Sequence, residues 1–65
     1  MENFKPEALK EALKQITSLL HKLEAIDITK QKAPQMTLIL RRIEAMKIAR
    51  TLIEDKLKMV DLINQ

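Results

Sequence analysis

Ser18 and His21 are the hydroxyl and imidazole whose spacing comes nearest to nucleophilic chemistry in this sequence. Residues three apart share one face of a helix, and a hydroxyl beside a general base is the start of an activated nucleophile. Catalysis also needs a third group that orients the base, and the sequence pattern supplies none. Because such a pair arises often by chance in helices, we expect His21 to be a solvated side chain on the flank of its helix.

Paired carboxylates and metal ligands are equally sparse. Glu54 and Asp55 are adjacent, so on a helix they point about 100° apart and do not form an acid–base pair by themselves. The sequence has no cysteine, a single histidine and no glycine, which leaves neither a cluster of metal ligands nor a phosphate-binding loop. We therefore predict that the protein is not an enzyme and uses no cofactor or metal ion.

A one-faced amphipathic helix is predicted from about residue 7 to residue 25. Pro6 suits the first turn of a helix, where its missing N–H costs nothing, and Glu7 lies near the positive end of the helix dipole. Large apolar residues then recur at alternating steps of four and three, the spacing of a single buried face. They are Leu9, Leu13, Ile16, Leu20 and Leu23, with Ala12 and Leu19 beside them.

Residues 26–33 are predicted to be the connection to a second helical region. Thr29 is a suitable cap for a short helical turn, and Pro34 either breaks the pattern or opens the next helix. From there to residue 63 no glycine or proline stops a helix.

The region 34–63 carries two apolar stripes, which together span roughly 220° of a helix surface, against the ~100° of an ordinary amphipathic helix. The first stripe has steps close to a coiled-coil seam and consists of Ile39, Ile43, Met46, Ala49, Ile53, Leu57 and Val60. The second stripe lies beside it and consists of Leu38, Ala45, Ile48, Leu52, Met59 and Ile63. The first helix can cover only one of them.

Two small all-α bundles accommodate this excess. In one, residues 34–63 form a single straight helix, and two helical hairpins dimerise into a four-helix bundle. In the other, the region breaks near residues 45–48, and a single chain folds as three helices. The absence of any helix-breaking residue favours the straight helix.

Composition limits the chain to one soluble domain with a modest core. Its 65 residues contain no disulfide and no apolar segment long enough for a membrane span, and no secretory signal opens the sequence, so we expect an intracellular protein. Residues 30–50 hold six basic residues against Glu44 alone, a balance of +5 that would attract an acidic partner.

Two segments resemble a known family. The run Leu20–Thr29 and the run Leu40–Ile48, followed by residues 52–54, are similar to transcription-elongation-factor N-terminal-like domains, and in particular to the integrase-binding domain of lens-epithelium-derived growth factor and its relatives. The resemblance covers about residues 18–60. It implies a helical bundle that captures short, disordered, acidic motifs of transcription and chromatin proteins in the nucleus, with the ligand at a helix junction around Met46, Lys47 and Ile48.

The sequence thus leaves two functional hypotheses. In the first, the protein is an interaction module that binds a short acidic and apolar segment, anchored by Met46 and Ile48 and steered by the basic residues Arg41, Arg42, Lys47 and Arg50. In the second, it is a structural homo-oligomer, natural or designed, with Leu38, Ile48, Leu52, Met59 and Ile63 in the interface between copies. Nucleic-acid binding by residues 30–50 is a weaker alternative, because aromatic stacking platforms are missing.

Overall fold

The chain folds as a helical hairpin. A computed structural model describes residues 4–63, and the side chains of residues 4–60. It contains helix α1 (Pro6–Glu24), a 3-10 turn (Ile28–Lys30) and helix α2 (Ala33–Ile63), and this range contains no strand. The all-α fold class predicted from the sequence is confirmed.

Helix α1 begins and ends within one residue of the predicted bounds. Pro6 occupies the first turn, and Lys5 before it is extended and provides no side-chain cap. At the other end, the backbone N–H of Ala25 donates to the carbonyl oxygen of His21, and that of Ile26 donates to the carbonyl oxygen of Leu23, which satisfies two acceptors of the last turn.

The connection reverses the chain without glycine and without any residue at positive φ among those described. Asp27 is extended, and its carboxylate accepts a hydrogen bond of 3.0 Å from the backbone N–H of Thr29. Lys30 lies 4.0 Å from the same carboxylate. The cap of this short turn is therefore Asp27 and not Thr29, because the side chain that caps a turn must precede the free N–H groups.

Helix α2 is continuous over its 31 residues and passes through residues 45–48 without a break. Pro34 lies in its first turn, where a proline is tolerated, and the residues after it offer no helix breaker. The three-helix alternative requires an interruption near residues 45–48, and the helix has none there.

The contact between α1 and α2 makes a thin core. Only Leu20 and Ile39 are buried among the side chains described, since two helices enclose a residue on one side only. The rest of the α1 apolar face and the rest of the first stripe are half-buried, as the spacing predicts. These half-buried residues are Leu9, Leu13, Ile16 and Leu23 on α1, and Ile43, Met46, Ala49, Ile53, Leu57 and Val60 on α2.

The hairpin is elongated and unequal. With 19 and 31 residues, α1 and α2 are about 28 Å and 46 Å long at ~1.5 Å per residue. The radius of gyration is 14.9 Å, against about 11 Å for a compact chain of this size. The 3-10 turn contacts α2, but much of the longer helix still lacks a partner.

Candidate interaction surface

The second stripe lies on the surface of α2. Leu38, Ile48, Leu52 and Met59 are 40%, 55%, 64% and 56% exposed, and Ala45 between them is exposed as well. The side chain of Ile63, the remaining member of the stripe, lies outside the described residues. A row of large apolar side chains with half of their surface in water is a typical mark of an interaction site.

One ion pair fixes which flank of the hairpin carries this stripe. Lys47 Nζ on α2 lies 4.0 Å from Glu24 Oε2 on α1, so both residues mark one flank of the interhelical contact. At about 100° per residue, Lys47 lies roughly 110° around α2 from the centre of the first stripe. The centre of the second stripe lies roughly 110° from it in the opposite direction. The second stripe therefore belongs to the opposite flank, away from the ion pair.

Helix α1 contributes to the same flank. Leu19 is five residues before Glu24, which places it across the α1 apolar face from the ion pair, and it is 48% exposed. Near the start of α1, an apolar groove of about 410 Å³ opens between the two helices. Its lining residues are Phe4, Ala8, Leu9, Ala12 and Ile53. The hairpin thus has one apolar flank, formed mainly by α2 and at its edge by α1.

Three exposed charged residues, Arg41, Asp55 and Lys56, interrupt or border the second stripe, and two of them occupy regular positions. Arg41 and Asp55 are both exposed, and they lie seven residues before and seven residues after Ile48. A spacing of seven repeats the same face of a helix every two turns. This heptad relation is the signal in the sequence that identifies them as part of the stripe.

The proposed peptide anchors do not lie together. Met46 belongs to the first stripe and is half-buried, whereas Ile48 is exposed on the second stripe. Two residues apart on an unbroken helix, their side chains point about 160° away from each other. They would converge on one ligand only at a helix junction, and α2 is continuous at this place.

The four basic residues proposed for steering are distributed around α2. Arg50 lies beside the first stripe, with its Nε 3.8 Å from Glu54, and Lys47 is paired with Glu24 on the far flank. Arg41 and Arg42 are exposed, and of these Arg41 lies within the second stripe. The +5 balance of residues 30–50 is thus a diffuse field around the helix, and three of its basic residues, Lys30, Lys47 and Arg50, already lie beside a carboxylate.

An open depression of about 280 Å³ lies on the outer side of α2, lined by Glu44, Lys47, Ile48, Thr51 and Leu52. All of its walls come from one helix, so it is a surface hollow that a flat or convex partner can cover, and it does not enclose a small molecule.

The residues considered for chemistry remain apart from any enclosed space. Ser18 and His21 are both exposed on α1, where water competes for their hydrogen bonds. Within the described part of the chain, no three potential metal-binding side chains cluster. Over the same residues, neither helix combines the length and apolar character needed to cross a bilayer.

Comparison with known proteins adds no relative. No protein-family model matches the sequence, and no curated protein or solved structure matches it. The resemblance to the transcription-elongation-factor N-terminal-like domains therefore stays a prediction.

Proposed function

We propose that this protein is a non-enzymatic, self-associating helical hairpin, and that two copies bury their second stripes against each other in a four-helix bundle. One observation carries the proposal: Ile48, Leu52 and Met59 form a line of more than half-exposed apolar side chains on one unbroken helix. Water contact with such a line is unfavourable by about 25 cal/mol per Å² of apolar surface.

The surface area supports a partner of the size of a second hairpin. The chain exposes 5602 Å², whereas a folded monomer of 7.6 kDa is expected to expose about 4300 Å². A standard protein–protein interface removes roughly 800 Å² from each partner. The excess of about 1300 Å² is therefore enough for one such interface on each copy.

A matched pair of leucine substitutions tests the proposal. Leu52 lies in the second stripe and Leu40 outside both stripes, and they are 64% and 50% exposed on the same helix. We expect Leu52→Glu to shift sedimentation-equilibrium mass to that of one chain, because two carboxylates would be buried in the interface. Leu40→Glu should leave the mass of the assembly unchanged.

Two results would count against self-association through this stripe. One is a single-chain mass for the unmodified protein throughout the micromolar range. The other is an equal loss of assembly in both variants, which would place the interface elsewhere on α2. Circular dichroism of the Leu52→Glu chain separates dissociation from unfolding.

Capture of an acidic, apolar segment from another protein is the second candidate, as in the family that the sequence resembles. Arg41 within the stripe and the hollow at Ile48 and Leu52 favour it. Titration of an acidic, phenylalanine-containing peptide should then shift the amide resonances of residues 48–52. An absence of shifts at a large excess of peptide would eliminate this candidate and would not affect the proposal of self-association.

A further inference from the structure

The second stripe is nearly symmetric about Ile48. Arg41 and Asp55 lie seven residues to either side of it, and the apolar members Leu38 and Met59 lie ten and eleven residues to either side. Ala45 lies three residues before Ile48, and Leu52 lies four residues after it. A face with this arrangement matches a second copy of itself when that copy is reversed in direction, because each position then meets its counterpart.

We propose that the dimer pairs α2 with α2 of the second copy in antiparallel orientation, with the two-fold axis beside Ile48 and with Arg41 facing Asp55 of the other copy. This register rests on the proposed self-association and specifies its geometry. Each dimer then contains two such ion pairs, one on each side of the axis.

Charge determines the direction of the pairing. In the antiparallel register each exposed guanidinium at residue 41 meets an exposed carboxylate at residue 55. A parallel pairing in register would place Arg41 against Arg41 and Asp55 against Asp55, and like charges across an interface disfavour association. In a parallel pairing, residues 30–50 of one copy, with their net charge of +5, would also face the same residues of the other copy.

Side-chain size supports the same register. The small Ala45 meets the large Leu52 of the other copy on each side of the axis, which pairs a small side chain with a large one. The larger side chains Leu38 and Met59 meet near the two ends of the contact. Ile48 packs beside its own counterpart at the axis. The exposed surface of these residues is thereby covered along about 32 Å of helix, from residue 38 to residue 59.

The flank of α1 is a poorer partner for the second stripe. Along that flank, Gln15 and Lys22 alternate with Ala8, Ala12 and Leu19, and both polar residues are exposed. If α2 of one copy packed on α1 of the other, Lys22 would lie against the apolar side chains of the second stripe. Arg41 would then no longer face Asp55 of the other copy. Pairing of α2 with α2 avoids both.

Single cysteines report the register directly, because the unmodified chain has none. Two cysteines form a disulfide only when their Cα atoms lie within about 7 Å. We expect Ile48→Cys to cross-link with itself under mild oxidation. Leu38→Cys alone should not, because its two copies lie about 30 Å apart in this register, whereas a mixture of Leu38→Cys and Met59→Cys chains should yield the mixed disulfide.

Exchange of the two charges tests the ion pair. Arg41→Asp and Asp55→Arg should each weaken dimerisation about five- to tenfold, since each change removes both ion pairs of the dimer and an exposed pair contributes about 0.5 kcal/mol. The combined Arg41→Asp/Asp55→Arg chain should recover most of the loss. Lys58→Asp is the control, because it makes the same change in charge on another face of α2 and should leave the dissociation constant within about twofold.

The outcomes distinguish the register from the self-association on which it rests. A monomeric unmodified protein overturns both. A dimer in which Ile48→Cys fails to cross-link, or in which Leu38→Cys cross-links with itself as efficiently as Ile48→Cys, retains self-association and overturns the antiparallel register. If the double charge variant dimerises no more tightly than the single variants, the assignment of the Arg41–Asp55 contact is overturned.

Discussion

Leu20 has no exposed surface, and Ile39 on the facing helix is 8% exposed. The other described apolar side chains of the hairpin are half-buried or exposed, so these two residues are the most completely packed part of one chain. A close-packed site of this kind is sensitive to the loss of single methyl groups.

Leu20→Ala is expected to lower the free energy of unfolding by about 2–5 kcal/mol, the range for a truncated leucine in a packed core. Leu40→Ala should change it by less than about 0.5 kcal/mol, because that side chain is half exposed on the polar side of α2. Urea denaturation of both variants at one protein concentration measures the difference. Similar losses in the two would mean that the contact of α1 with α2 is not centred on Leu20.

Asp27 provides a second prediction at this scale. Its carboxylate accepts the N–H of Thr29 at the start of the 3-10 turn, so Asp27→Ala should cost about 0.5–2 kcal/mol of stability, as for other capping side chains. Asp27→Asn retains an acceptor at the same position and should cost less than the alanine variant. Thermal unfolding of the three chains provides the comparison, and equal midpoints would argue that the turn contributes nothing.

At the scale of the elements, periodicity predicted most of what the structure contains. The two helices end within one residue of the predicted positions, the first stripe packs on α1, and the second is exposed. The absence of a helix breaker favoured a straight α2, and the helix is continuous. The number of apolar residues to be covered did not help this choice, because it is the same for a straight and a broken helix. The anchors Met46 and Ile48 depended on a break, and an unbroken helix separates them.

Continuity of α2 through residues 44–48 is testable with proline. Glu44 is exposed and belongs to neither stripe, so Glu44→Pro disrupts the helix backbone without removing an apolar side chain. We expect a loss of about 3 kcal/mol or more, as in a helix interior, against a small effect of Glu44→Ala. A second helix that began near residue 45 would accept proline in its first turn, and near-equal stabilities of the two variants would reveal it.

At the scale of the whole molecule, a single chain has a thin core and an elongated shape, and both limit its stability. Dimensions of 49 × 22 × 15 Å leave two helices side by side with no third layer, and small chains of this kind commonly obtain their remaining stability from oligomerisation. The excess of apolar surface was readable from the sequence. What covers it depends on two molecules, and for that reason spacing within one chain could not settle it.

Folding linked to association makes stability depend on protein concentration. The thermal midpoint of the unmodified chain should rise as the concentration increases through the micromolar range. Leu52→Glu should show a lower midpoint that no longer depends on concentration, because its monomer lacks the interface. A midpoint of the unmodified chain that stays constant would indicate that folding and association are independent.

The most direct test is the solution mass of the unmodified protein by sedimentation equilibrium at low and high micromolar concentration. Burial of the second stripe against a second copy predicts twice the single-chain mass of 7.6 kDa at the upper end, with dissociation on dilution. A mass of one chain at every concentration would contradict self-association and leave the exposed row of Ile48, Leu52 and Met59 for a different partner.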